Sequence, residues 1–162
     1  MKITKKGDGA RRLSQAVRDI QSKQLRVGWG ENIKYDDGTL VAEVAAQNEF
    51  GNPAKNIPPR PFMRPTINRQ RSVWMKKAAH GIMSVLRGER TTGEVFDTIG
   101  QLAAGDIRKT ISKVKSPPLK TATVMARLRG KKQGNSVSLT AAKPLVDTGH
   151  MLNSLSSEVV EK

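Results

Sequence analysis

The chain has 162 residues, a length that suits one domain, and its 29 lysines and arginines against 14 aspartates and glutamates give a formal net charge of +15. Such a charge favours nucleic acid or an acidic protein surface as the partner. The absence of cysteine excludes disulfides, thiolate catalysis and thiolate zinc sites. No segment approaches the roughly 20 apolar residues of a membrane span, so we expect neither export by signal peptide nor a place in a membrane.

The first half of the chain predicts helix, strand, turn and helix. Apolar residues at helical spacing indicate a helix over Ala10–Ser22, after a flexible N-terminus of about residues 1–9. Alternation in "QLRVGWG" indicates a half-buried strand over Gln24–Gly30, and "YDDGT" is typical of a tight turn. Thr39 is then predicted to cap a helix over Leu40–Phe50, and Gly51 to end it in the left-handed conformation.

Two long helices are predicted next, and they are expected to pack as an antiparallel hairpin. The first covers Thr66–Arg87, with Pro65 in its first turn, where proline is tolerated. The second covers Thr92–Val114 and begins with "TTGE", which resembles a capping box.

The last part of the chain predicts less regular structure. A short helix is expected to end at Arg129, followed by a mobile basic loop over about residues 130–143. A helix capped by Asp147 or Thr148 follows, and "SSEVVEK" looks like the beginning of a strand that the chain barely completes. The prediction is therefore one α+β domain over residues 1–162, with a small mixed or antiparallel sheet flanked by several helices.

The nonapeptide "IPPRPFMRP" at Ile57–Pro65 holds four prolines and two arginines between two predicted helices. Proline fixes its own φ and restricts the residue before it, so the segment is predicted to be a stiff, extended connector. Phe62 and Met63 are predicted to anchor it against the chain's own core or against a neighbouring copy, with Arg60 and Arg64 available for carboxylates. The alternative is a rigid loop that only links helices.

No constellation for catalysis is found, so we expect no enzyme activity, cofactor or metal. The chain has only two histidines. His80 has Lys76 and Ser84, not carboxylates, at the spacing that a metal site would need. His150 follows a predicted N-cap, where the helix dipole opposes an imidazolium, so a neutral ring facing solvent is expected. The paired acids Asp36 and Asp37 are explained by turn chemistry, since the calcium-loop spacing is missing.

Basic residues near the predicted loop are candidates for contact with DNA. Exposed cations in a loop bind phosphate by releasing counterions, but no aromatic residues are interleaved to stack on bases. The expected contact is therefore non-specific, and its candidate residues are Arg127, Arg129, Lys131 and Lys132.

Three blocks in order, "DGTLVAEVAAQNEFG", "IPPRPFMRPT" and "SPPLKTATVMARLRG" with "KPLVDTGHMLNSL", resemble the virion morphogenesis proteins of tailed bacteriophages, the neck and tail-completion family (tail terminator, head-to-tail joining). The resemblance implies a non-catalytic subunit of a ring, commonly hexameric, that caps the tail tube and joins it to the head connector or stopper. Genomic DNA would pass through the lumen. The expected location is the virion, after assembly in the host cytoplasm.

Charge patterning adds a hypothesis about the contact between copies. Acidic residues concentrate in residues 31–49 and basic ones in residues 60–90 and 108–132. Closed rings use two different faces of each subunit, so Glu43 and Glu49 are predicted to face a neighbour's Arg60–Arg71. Scattered solvated charge is the alternative.

Two functions compete with this interpretation. One is a non-specific nucleic-acid-binding module, and the other is a different connector or minor tail component of the virion.

Overall fold

The computed structural model of the protein describes residues 8–130 and 143–162. This part of the chain is α+β, with six α-helices and a two-stranded antiparallel sheet, so the predicted fold class is confirmed. The elements, in chain order, are α1 (Asp8–Ser22), β1 (Lys23–Gly28), α2 (Val41–Phe50), a 3₁₀ helix (Pro53–Lys55), α3 (Met63–Leu86), α4 (Thr92–Lys113), α5 (Thr121–Gly130), α6 (His150–Asn153) and β2 (Ser156–Glu161). The predicted mobile loop falls largely on residues 131–142, outside the described residues.

The two long helices α3 and α4 form the predicted antiparallel hairpin. Trp74 Nε1 donates to Asp106 Oδ2 across 2.8 Å, and further along α3 Gly81 packs against Val95 near the start of α4. A Cβ at Gly81 would stand 2.4 Å from Val95 Cγ1, so the helices approach this closely only because residue 81 has no side chain. The predicted capping box at "TTGE" is also present.

The sheet packs on one face of α4. Leu25 of β1 pairs with Val159 of β2 and Val27 pairs with Ser157, so the C-terminal strand has β1 as its partner through six residue pairs. A Cβ at Gly100 of α4 would lie 2.6 Å from Ser157 Cβ. Gly100 therefore sets how closely the sheet lies on the helix.

The start of α2 differs from the prediction. The residue before the helix is Leu40, which provides no side-chain cap, so the predicted capping role of Thr39 is wrong. The backbone N–H of Thr39 instead donates to Asp37 Oδ1 at 2.9 Å, within the predicted tight turn. Gly51 ends α2 with φ of 81° but ψ of 163°, so its φ is positive as expected while its ψ is extended.

Further boundaries differ by a few residues, among them the end of β1, which lies at Gly28 and not at Gly30. α1 begins at Asp8, so the helix includes two residues assigned to the flexible N-terminus. α3 begins at Met63, three residues before the predicted start at Thr66, so Pro65 lies in its first turn. α6 follows Gly149, whose φ of 82° favours glycine, so the N-cap position is neither Asp147 nor Thr148 as predicted. Thr148 Oγ1 still accepts from the N–H of His150, the first residue of α6, at 3.2 Å.

The hydrophobic core lies between α2, the C-terminal half of α4, the proline segment and α6. We call this part of the molecule the core end. Its buried residues are Val41, Ala45, Phe62, Ala104, Ile107, Ile111, Leu145, Met151 and Leu155. The proline segment thus contributes Phe62 to the hydrophobic core.

Candidate assembly interface

Two backbone hydrogen bonds attach the first half of the proline segment to α2 and to the residues just after it. Asn52 N–H donates to the carbonyl of Ile57 at 2.8 Å, and Arg60 N–H donates to the carbonyl of Asn48 at 2.6 Å. Between these contacts the prolines supply no N–H groups that would need a partner. The segment is therefore an ordered connector as far as Phe62, whereas the prediction of an extended backbone is wrong for its last three residues, which form the first turn of α3.

The carboxylate of Glu49 holds the beginning of α3. Its Oε2 accepts from the backbone N–H groups of Phe62 at 2.7 Å and Met63 at 2.8 Å, and its Oε1 accepts from Arg64 N and Nε at 3.0 Å each. These N–H groups have no partner within the helix, and a negative charge at a helix N-terminus is stabilising. Burial raises the pKa of Glu49, but the hydrogen bonds outweigh it and the net pKa is lowered.

Phe62 anchors the segment in the chain's own core. The side chain is 1% exposed and its ring meets the ring of Trp29 edge to face, with centroids 6.0 Å apart. Trp29 Nε1 in turn donates to the carbonyl of Met151 at 2.8 Å. Of the two alternatives for Phe62, the core anchor is therefore the one observed, and Met63 beside it is half-buried.

The two arginines of the segment differ from each other. Arg60 is 6% exposed and donates from Nε to the carbonyl of Pro117 at 2.7 Å and from Nη2 to that of Pro118 at 3.1 Å. It joins the proline segment to the chain after α4, so its expected role as a carboxylate partner is wrong. Arg64 does meet a carboxylate, that of Glu49 in the same chain.

Arg64 and Phe50 form an exposed surface beside these buried contacts. The guanidinium carbon of Arg64 lies 4.7 Å from the centroid of the Phe50 ring, and Phe50 is 65% exposed. Arg64 Nη2 also donates to the carbonyl of Glu49 at 3.2 Å, so the guanidinium has a fixed position. The sequence analysis did not predict a role for Phe50. The available signal was helical spacing, because Phe50 does not lie on the same face of α2 as the buried residues Val41, Ala45 and Glu49.

Four exposed carboxylates lie on the loop before α2 and on α2 itself. We call this set the acidic surface; its members are Glu31, Asp36, Asp37 and Glu43. Hydrogen bonds from the Thr39 N–H and side chain lower the pKa of Asp37. Glu49, which was predicted to belong to the same face, is instead 4% exposed and bonded within the chain.

The predicted DNA contacts separate into three cases. Arg127 donates from Nη1 to the carbonyl of Lys143 at 2.9 Å and its Nε lies 3.3 Å from Asp147 Oδ2, so its side chain is 15% exposed. Arg129 is exposed on α5. The other two candidates, Lys131 and Lys132, lie outside the described residues. Contact with DNA stays a prediction, and Arg129 is its most accessible described member.

Within residues 8–130 and 143–162, no three His, Asp or Glu side chains are grouped so that they could hold a metal ion. No helix of the same residues is long and apolar enough to cross a membrane.

Comparison with known proteins gives no relative. No protein-family model, curated protein or solved structure matches this chain. The likeness to phage neck and tail-completion proteins, carried by the three sequence blocks, therefore stays a prediction.

Proposed function

We propose that the chain is a structural subunit of a tailed-phage virion. Copies of it would form a ring, hexameric by the resemblance, that completes the head-proximal end of the tail, joins it to the head connector and lets DNA pass through the lumen. The observation that supports assembly most directly is the exposed Phe50 under the fixed guanidinium of Arg64.

This pair has the properties of a preformed protein contact. Aromatic and arginine side chains dominate the binding energy of protein interfaces. Arg64 already makes hydrogen bonds to the carboxylate and the carbonyl of Glu49, so it has little conformational freedom to lose on binding. The described residues leave Phe50 65% exposed, and a partner protein would cover this apolar surface.

The distribution of charge supports contact between unlike faces. The acidic surface lies near the start of α2, while α3 carries exposed basic residues along its length. Unlike faces of identical subunits make heterologous contacts, which close into rings when the rotation permits. Screening by salt would weaken such contacts only in part, because Phe50 adds apolar area.

Negative-stain images of the purified protein, with and without isolated phage tails, test the proposal. Rings of one symmetry at the head-proximal end of the tail are the expected result. Rings elsewhere on the virion would favour a different connector or minor tail component. Monomers that coat DNA would contradict the proposal.

A pair of variants tests the role of Phe50 itself. Phe50→Ser is expected to reduce the assembled fraction in size-exclusion chromatography, because it removes the apolar part of the contact. Met75→Ser is the matched control, since Met75 is 60% exposed on α3 but lies outside the Phe50 and Arg64 surface. Equal assembly of the two variants would show that Phe50 is not an interface residue.

The net charge of +15 supports one alternative, a non-specific nucleic-acid-binding module. Such a module would bind duplex DNA tightly as an isolated subunit, and its affinity would fall steeply with salt. A ring component would bind DNA weakly and would self-assemble. Titration of duplex DNA at two salt concentrations, beside native mass spectrometry, separates the two functions.

A further inference from the structure

A second surface lies at the other end of the helical hairpin, between the C-terminal half of α3 and the N-terminal half of α4. It is a groove of about 400 Å³, which we call the outer groove. Apolar residues form its floor and basic residues form its rim. The floor includes Val95, Ile99 and Leu102, and the rim includes Lys76, Lys77, His80 and Arg90.

The basic rim of the outer groove contains no carboxylate of its own. Among the described residues, no aspartate or glutamate lines the groove, although Arg90 interacts electrostatically with nearby Glu94. Within the described residues, Lys76 and Lys77 make no hydrogen bond or ion pair through their side chains, whereas Arg90 is held by the carbonyl of Glu94 at 3.1 Å and by Thr98 Oγ1 at 3.0 Å. A basic rim over an apolar floor is complementary to a segment that carries carboxylates beside an apolar side chain.

The chain carries such a segment, but out of reach of its own groove. Glu43 and Phe50 are both exposed on α2, and residues seven positions apart lie on the same face of a helix. α2 is tied to the start of α3 through Glu49 and Arg64. His80 lies about 24 Å further along α3, at about 1.5 Å per residue. If an α2 helix occupies the outer groove, it must therefore belong to another copy of the chain.

We infer that the outer groove is the acceptor for α2 of the neighbouring subunit. Glu43 and the rest of the acidic surface would meet Lys76 and Lys77, and Phe50 would lie on the apolar floor. This inference rests on the proposed self-assembly and names the two faces that meet. It moves the basic partner from Arg60 and Arg64 to the outer groove, because Arg60 is buried against two carbonyls and Arg64 is already bonded to Glu49.

Charge reversal tests the pairing. Lys76→Glu with Lys77→Glu, and separately Asp36→Lys with Glu43→Lys, should each weaken assembly about tenfold or more, because like charges would then face each other. The chain with all four substitutions should regain assembly. Native mass spectrometry and sedimentation velocity measure the assembled fraction, and circular dichroism confirms that each variant is folded.

The matched control is Arg11→Glu with Arg12→Glu, which changes the net charge by the same amount on the exposed first turns of α1. This variant should assemble within about twofold of the wild type, since charge pairs outside the interface contribute little. A loss equal to that of the groove variant would mean that net charge alone controls assembly, and would overturn the inference.

The remaining outcomes separate the inference from the proposed function. If the wild-type protein forms rings and the groove variant forms them equally well, the inference is wrong and the proposed function stands. If both charge reversals disrupt assembly but their combination does not restore it, the two faces do not meet and the inference is also wrong. If the wild-type protein remains monomeric, self-assembly fails and the inference fails with it.

Discussion

The core end and the outer groove are both rich in basic residues, yet they use them differently. At the core end, Arg60 and Arg64 donate to carbonyls and a carboxylate of the same chain. At the outer groove, Lys76 and Lys77 have no such partners among the described residues. A basic run in a sequence thus combines charges that hold the fold with charges available to a partner, and hydrogen bonds within the chain distinguish the two.

Two phenylalanines give the largest expected contrast between buried and exposed positions. Phe62→Ala removes a fully buried ring and its contact with Trp29, so we expect a loss of about 3–5 kcal/mol in the free energy of unfolding. Phe50→Ala removes an exposed ring and its contact with Arg64, for a loss of less than about 1 kcal/mol. Urea denaturation measures both, and similar losses would contradict the assignment of Phe62 to the core.

Glu49→Gln is expected to have the next largest effect. We expect a loss of about 2–3 kcal/mol in the free energy of unfolding at pH 7, because charge-assisted hydrogen bonds at the start of α3 become neutral ones. The pKa of Glu49 is lower in the folded chain than its value near 4.5 in the unfolded chain. The ionised carboxylate therefore contributes its full stabilisation above about pH 4.5, and this stabilisation is lost as the pH falls through the folded pKa.

The wild type should therefore lose stability more steeply than Glu49→Gln as the pH falls below about 5. Thermal unfolding between pH 3 and 7 measures the two slopes. Glu43→Gln on the exposed face of α2 is the control, and its slope should match the wild type. Parallel slopes for Glu49→Gln and the wild type would show that the carboxylate does not hold α3.

Alanine substitutions at two glycines of α4 are expected to change stability by smaller amounts and in opposite directions. Gly100→Ala would place a Cβ 2.6 Å from Ser157 and 2.8 Å from Leu25 Cδ1, so the sheet must shift and we expect a loss of about 1–3 kcal/mol. Gly105→Ala meets no atom within 4 Å and should stabilise the helix by about 0.5–1 kcal/mol. Equal effects in chemical denaturation would mean that the sheet is not seated on Gly100.

The smallest effect on stability is expected at the outer groove. Lys76→Ala with Lys77→Ala should change the free energy of unfolding by less than about 0.5 kcal/mol, because neither side chain has a partner among the described residues. Thermal denaturation at low salt measures this change. A loss of more than about 1 kcal/mol would show that the lysines serve the fold, as Arg60 does.

Local patterns predicted the elements of this fold well. Helical spacing of apolar residues predicted α3 and α4, and "TTGE" predicted the capping box formed by Thr91 and Glu94. The sequence did not reveal that Arg60 bonds the carbonyls of Pro117 and Pro118, because those groups meet only through the tertiary fold. The missed cap of α2 has the same origin, because the N–H of Val41 donates to the carbonyl of Ile33 and not to a side-chain cap.

The candidate interface could be predicted only in outline. Composition indicated an acidic and a basic region, but it could not separate Glu49, which accepts hydrogen bonds from the start of α3, from Glu43, which faces solvent. The outer groove was missed because Lys76, Val95 and Leu102 are brought together by the hairpin, and no sequence motif connects them.

The central claim is that copies of this chain assemble through unlike faces. Native mass spectrometry of the wild-type protein at physiological salt tests it most directly. We predict a closed homo-oligomer of one fixed copy number, which loses subunits as the salt concentration rises. A monomer at every protein concentration, binding duplex DNA tightly, would contradict the account.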